Sequence, residues 1–247
     1  LELGFNLIRQ AAGFAVPVPL VDTMVANLVL AHSGLDVAET CAVLLFDGGE
    51  LPVLDGGVVN GLIEHAPGAP AESLLVVPVM DSDGVRVATF TADHLSVERR
   101  ESLAGEPRIR AILDAASPLA LSPVVDGMTK DGLWQFGALV RASQIAGAME
   151  KINDLTVNYV KERHQFGRPL GKFQAIQHKV ADIAGESALA SAAVEQGVRM
   201  LSRAGEPFAG DRVVFLPAAT AKVVPSEGVA VVSRLAHQCH SAMGFSF

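Results

Sequence analysis

The hydrophobic period of this 247-residue chain changes twice, and that change constrains the fold more than any other feature. Over residues 1–38, Leu3, Phe5, Ile8 and Ala12, and then Val21, Met24, Val25 and Leu28, recur at helical spacing. Pro17 and Pro19 interrupt the pattern, which predicts two helices joined by an elbow. Over residues 39–125 short apolar runs alternate with turn signals: Asp47-Gly48-Gly49, Asp55-Gly56-Gly57 and Asp83-Gly84. Asp-Gly and Gly-Gly between apolar runs signal hairpins, so this stretch reads as a small antiparallel β domain. From residue 126 to 247 the helical period returns. Leu139, Ile145, Met149, Ile152, Leu155 and Val160 trace one helix, Phe173 to Val194 a second, and Ala219 to Leu235 a third that passes Pro225. Residues 132–163 contain no proline and would extend about 48 Å as a helix. The predicted class is α+β: N-terminal helices, cut short at their start, a central antiparallel β domain and a C-terminal antiparallel helical bundle.

Composition narrows the function classes. A net charge of −8 and a pI near 5.3 argue against nucleic-acid binding. Two cysteines, Cys41 and Cys239, cannot build a disulfide framework, which points to the reducing cytoplasm. No run approaches the roughly 18 apolar residues of a membrane span. Yet 50% of the residues are apolar, which suggests surface buried against other subunits. The chain opens without Met, inside an amphipathic pattern, and reads as cut at its start. No phosphate-binding glycine loop of the common kinds is present. His237 and His240 could share a helix face, but no third ligand lies nearby in sequence, so no metal site is assigned.

One stretch is unusually dense in polar and aromatic groups: Tyr159-Val-Lys-Glu-Arg163-His-Gln-Phe-Gly167-Arg-Pro169-Leu-Gly-Lys-Phe173-Gln174. Lys161 and Arg163 suit the C-terminal end of a helix dipole. Gly167 fits a helix C-cap and Pro169 a stop. That reading leaves Arg163, Gln165 and Gln174 unexplained. An Arg fork and two amides around a tight turn would suit a phosphate or pyrophosphate held at a subunit edge.

These residues resemble the acyl-CoA dehydrogenase family. The matching elements are Arg163-x-x-Phe166-Gly167-x-Pro169-Leu170-x-x-Phe173-Gln174-x-Ile176 with Ala181-Asp182, and Ala221-Lys222 followed by Gln238 and Gly244-Phe245. The helix–β–helix order agrees, and the likeness runs from about Pro19 onward. The resemblance implies α,β-desaturation of an acyl-CoA. In the family a Glu removes the α-proton, the hydride passes to FAD, and FAD lies between subunits. Carried over residue by residue, it makes Arg163, Gln165, Phe166 and Gln174 FAD contacts at the pyrophosphate and adenine end, with Gln238 and Gly244 beside them.

The departures from the family pattern are also specific. The segment that lies along the flavin reads Leu44-Leu45-Phe46-Asp47-Gly48-Gly49-Glu50-Leu51-Pro52, shortened and without its Thr and Ser donors. On the long helix, Gln135 and Ala138 stand where an Asp and an Arg help hold substrate, and Gly137 where some members carry the base. Ser241 and Ala242 replace two glycines of the family's glycine-rich loop. The pattern is similar to the shortened, partner-type subunit of heterotetrameric (α2β2) acyl-CoA dehydrogenases of actinobacterial steroid side-chain degradation. It implies a homologous catalytic subunit that binds most of the acyl-CoA, and an electron-transfer flavoprotein or similar acceptor, with no catalytic residue on this chain. Two other readings stay open: an autonomous homotetramer whose base lies beyond residue 247, and a non-catalytic scaffold.

Overall fold

The computed structural model describes residues 1–16 and 18–241. They fall into two compact units, Pro17–Leu133 and Leu1–Val16 with Trp134–Phe247.

The first unit is built on one sheet. Helix α2 (Leu20–His32) is followed by β1 (Ala42–Leu44), β2 (Val53–Asp55), β3 (Val58–Pro67), β4 (Leu74–Asp81), β5 (Gly84–Phe90), β6 (Ser96–Glu101), β7 (Pro107–Ala116) and β8 (Ala120–Leu121). Strand order is β6-β7-β3-β2-β4-β5-β8, with β1 also on β4. The sheet is antiparallel except that the short strands β1 and β2 run parallel to β4. Asp55 pairs with Val58 across Gly56 (φ 58°) and Gly57 (φ 86°). Two left-handed residues there make the tight hairpin that the Asp-Gly-Gly signal predicts. Asp81 pairs with Gly84, so the next turn carries Ser82 and Asp83.

The signal at Asp47-Gly48-Gly49 has a different outcome. It is not a hairpin turn, because β1 before it pairs with β4 and not with the strand that follows. The Asp47 carboxylate instead accepts the N–H groups of Gly49 (2.9 Å) and Glu64 (2.8 Å), closing an Asx-type loop. The core beneath is β-branched and small: Val43, Val59, Ile63, Leu75, Val77, Val79, Phe90, Ile109, Ala111 and Leu113 are buried. Burying a side chain such as Phe90 contributes about 1.5–3 kcal/mol.

The second unit is helical. It contains α1 (Glu2–Gly13), most of α3 (Lys130–Glu162), α4 (Gln174–Ala204) and α5 (Arg212–His240). α3 has 33 residues, about 50 Å at 1.5 Å each. α5 continues through Pro217 and Pro225 and is capped by Asp211, whose side chain accepts from Val213 N. Phe136 anchors the interior, 5.4 Å from the Phe5 ring and 5.0 Å from the Phe208 ring. α1 crosses α3 at Gly147, where a Cβ would stand 1.9 Å from the Arg9 carbonyl oxygen. Only glycine lets the two backbones approach that closely. Arg9 then bridges Glu150 on α3 (3.5 Å) and Glu195 on α4 (3.1 Å). α1 therefore packs in the bundle.

Candidate functional site

The segment between α3 and α4 is a miniature β-hairpin. Strand β9 (His164–Gln165) pairs with β10 (Arg168–Pro169) in the register Gln165↔Arg168 and His164↔Pro169. The two residues between them, Phe166 (φ 52°) and Gly167 (φ 80°), both lie in the left-handed region. This is a two-residue turn of type I′ geometry, not the helix C-cap expected at Gly167. The physical reason is a backbone bond: Leu170 N donates to Arg163 O (2.8 Å), pulling the chain back beside α3. A turn Leu170–Lys172 in 3-10 geometry then leads to α4, and Gln177 Nε2 donates to Gly171 O (2.9 Å).

Arg163 is fixed from both sides. Its N–H donates to Tyr159 O (2.8 Å) and its carbonyl accepts from Leu170 N, while its side chain is exposed. Phe166 is 87% exposed at the tip of the turn. Its ring meets Phe173 edge-on at 6.1 Å, and the Arg168 guanidinium stands 4.2 Å from the Phe173 centroid. That cation–π contact braces the hairpin. Sequence reasoning assigned no role to Arg168, although an Arg and a Phe five residues apart across a Pro were visible. Gln165 and Gln174 are exposed and form no side-chain hydrogen bond with other described residues.

The electrostatics favour an anion here. Residues 159–182 carry five cations (Lys161, Arg163, Arg168, Lys172, Lys179) against two carboxylates, Glu162 and Asp182, in a chain of net charge −8. α4 begins with no capping side chain and no acid in its first turn. Its positive dipole end is thus open to a negatively charged group.

The end of α5 lies beside this hairpin's supports. The Tyr159 ring stacks on His240 at 4.3 Å, one helical turn before Arg163. Burial pushes the Cys239 thiol pKa up, against a smaller pull from Lys179 on α4. Gln238, just before these two residues in sequence, is exposed on the last turn of α5. The structure thus brings Arg163, Gln165, Phe166 and Gln174 onto one hairpin and its following helix, with Gln238 on a neighbouring element. Gly244 lies outside the described residues. His237 and His240 each direct Nδ1 to a carbonyl one turn back, Ser233 O (2.7 Å) and Ala236 O (2.9 Å). Among the described residues no group of three potential ligands could hold a metal ion.

The other positions named above are quieter. Gln135 is buried, and Gly137 and Ala138 are half-buried. In the loop between β1 and β2, Asp47 is occupied by backbone N–H groups and Glu50 pairs with Lys130 Nζ at 2.6 Å.

Residues 132–246 match the family described as "Acyl-CoA dehydrogenase, C-terminal domain". Residues 132–246 thus carry the C-terminal domain of an acyl-CoA dehydrogenase, and the helix–sheet–helix order of the chain is the fold of that family. Two relatives share the name acyl-CoA dehydrogenase IpdE2. The protein from Mycolicibacterium smegmatis is 29% identical over 204 residues, covering 80% of this chain and 60% of the relative. The one from Mycobacterium tuberculosis is 26% identical over 244 residues, covering 98% and 66%. This chain therefore spans less than two thirds of either relative's length. Among solved structures, a Tcur3481–Tcur3483 steroid ACAD variant superposes with TM-score 0.78 at 25% identity, covering 98% of this chain and 71% of that one. The ChsE4–ChsE5 complex from Mycobacterium tuberculosis superposes with TM-score 0.82 at 18% identity, covering 98% and 70%, which shows a shared fold.

Proposed function

We propose that this chain is a subunit of a cytoplasmic, FAD-dependent acyl-CoA dehydrogenase made of two homologous chains. In this reading it supplies contacts to the pyrophosphate and adenine end of a cofactor shared with a catalytic partner. The partner provides the base and most of the acyl-CoA contacts, and an electron-transfer flavoprotein or similar acceptor takes the electrons. A steroid side-chain CoA ester is the substrate class suggested by the steroid ACAD among the structural neighbours.

The single observation that carries the reading is the exposed hairpin. Its backbone is pinned at Arg163, its tip holds an apolar ring in a left-handed conformation, and its cations form no ion pairs with other described residues. Such a surface is built to meet something outside the chain. The donor set fits FAD: Arg163 for the pyrophosphate charge, the amides of Gln165 and Gln174 for polar edges, and Phe166 for an apolar face. Bound flavin supplies the hydride acceptor of the desaturation. The residues of this chain hold and orient the cofactor and move no proton. Gln135, Gly137 and Ala138 offer no carboxylate, which leaves the base to the partner.

The test is co-expression with a full-length acyl-CoA dehydrogenase homologue from the same organism. The pair should carry FAD and desaturate an acyl-CoA, and this chain alone should do neither. Arg163→Ala should weaken FAD retention by roughly tenfold to a hundredfold, the loss of one charge-assisted bond of about 1.5–3 kcal/mol. A yellow, active homotetramer of this chain alone would sink the reading.

A further inference from the structure

We propose that one end of the sheet in the first unit binds a short aliphatic carboxylate. A cavity of about 230 Å³ lies there, between the loop that joins β3 to β4, the turn Ala92–His94 and the strands β6 and β7. Its most buried lining residues are Leu75 and Ile109, and its sides include Ala69, Ala92 and Leu95. The lining is apolar with one exception, Arg99. An apolar cavity of about 150 Å³ holds a benzene molecule, so this one has room for an alkyl chain of about six carbons.

Arg99 stands on the inner face of the sheet. It lies opposite Ile109, as Val97 lies opposite Ala111. Residues directly opposite in an antiparallel pair share a face, and Ile109 and Ala111 belong to the core. The other arginines of the unit are all engaged: Arg86 with Asp81, Arg100 and Arg110 with Glu64 and Glu98, and Arg108 with Glu106. Among the described residues, Arg99 is the one arginine of this unit without an ion pair. A free guanidinium beside an apolar cavity is complementary to a carboxylate that carries an alkyl tail. A charge on the edge strand β6 could also serve only to discourage pairing with another chain, but that role needs no cavity.

The walls are fixed before any ligand arrives. Gly68 N donates to Pro107 O (2.9 Å), and a Cβ on Gly68 would collide with Pro107, so the β3–β4 loop is held against β7. Further along that loop, Ser73 N donates to Pro70 O (3.1 Å). On the facing rim, Leu95 N donates to Ala92 O (3.3 Å), and the Thr91 hydroxyl and His94 Nδ1 share a hydrogen bond of 2.7 Å. A tail entering between such walls orders little backbone. The carboxylate meets Arg99 while the tail lies on Leu75, Leu95 and Ile109.

The test titrates hexanoate, hexan-1-ol and hexylamine into the full chain and reads binding by saturation-transfer NMR. Hexanoate should bind at least about tenfold more tightly than the other two. Arg99→Gln should weaken hexanoate binding about tenfold or more, and Arg99→Lys by less, because an ammonium keeps the charge but not the fork. Ala69→Leu and Ala92→Leu, which fill the cavity, should abolish binding in chains that stay folded by circular dichroism. If neither filled variant folds, Arg99→Gln, at an exposed position, decides alone. Equal binding of the three probes, or no binding of hexanoate by the parent, overturns the proposal. Hexanoate binding that Arg99→Gln leaves unchanged overturns it as well. If the parent ignores hexanoate and Arg99→Val self-associates, Arg99 guards the edge strand and the cavity is no site. Arg99→Gln should leave the FAD content of the two-chain complex as in the parent, so failure here leaves the functional reading standing.

Discussion

Phe166 holds a left-handed backbone at the tip of the hairpin, which costs a non-glycine residue about 1–2 kcal/mol. Its ring is almost wholly exposed, so little packing inside the chain offsets that cost. Phe166→Gly should therefore leave thermal stability equal or higher while lowering FAD retention by the co-expressed pair. Measuring melting temperature and flavin content on the same sample separates the two effects, and a variant that loses both together would show that the ring serves the fold. Cys239 gives a second residue-level expectation. Burial raises its thiol pKa, so at neutral pH it should alkylate slowly in the folded chain and readily after denaturation, as read by mass spectrometry. The residue types of the hairpin were legible in the sequence, because Arg, Gln and Phe at that spacing have no ready explanation in helix capping. The role of Gly167 was not. A cationic helix end followed by Gly and Pro suits a C-cap and a type I′ turn equally well. The choice is made by the bond from Leu170 N to Arg163 O, which a local pattern does not contain.

At the scale of elements, the crossing of α1 over α3 depends on the missing side chain of Gly147. Gly147→Val would push side-chain atoms into the Arg9 carbonyl, and rearrangement on that scale should cost at least about 1–3 kcal/mol. The loss should appear as a lower denaturation midpoint and as faster proteolysis within residues 1–16. On the sheet, the Glu98 carboxyl is held below its ordinary value, first by its hydrogen bond to Arg100, with Arg110 also nearby. A depressed carboxylate adds stability above its unfolded pKa, and that contribution fades as pH falls through the folded value. Glu98→Gln should thus shrink the difference in stability between neutral and acid pH. The placement of α1 in the bundle, and of Asp47-Gly48-Gly49 outside any hairpin, both escaped sequence reading for one reason. Each is settled by a partner far along the chain, α3 for the first and β4 for the second. Asp55-Gly56-Gly57 succeeded because its partner strands are adjacent.

For the whole molecule, the distribution of charge matters more than its sum. A chain of net charge −8 gathers five cations around one turn. If that cluster meets an anionic cofactor, FAD retention by the two-chain complex should fall as ionic strength rises, more steeply in the parent than in Arg163→Ala. A flat salt response would place the cations outside the contact. The double pinning of Arg163 has a further consequence for how such an enzyme would be supplied. A hairpin whose backbone is already fixed on one chain leaves only its side chains to be ordered when the cofactor arrives. Each molecule of FAD captured then raises the apparent affinity of the two chains for one another, by mass action. Assembly would track the flavin available to the cell: in riboflavin-poor medium the chains should be recovered apart, and added FAD should bring them together.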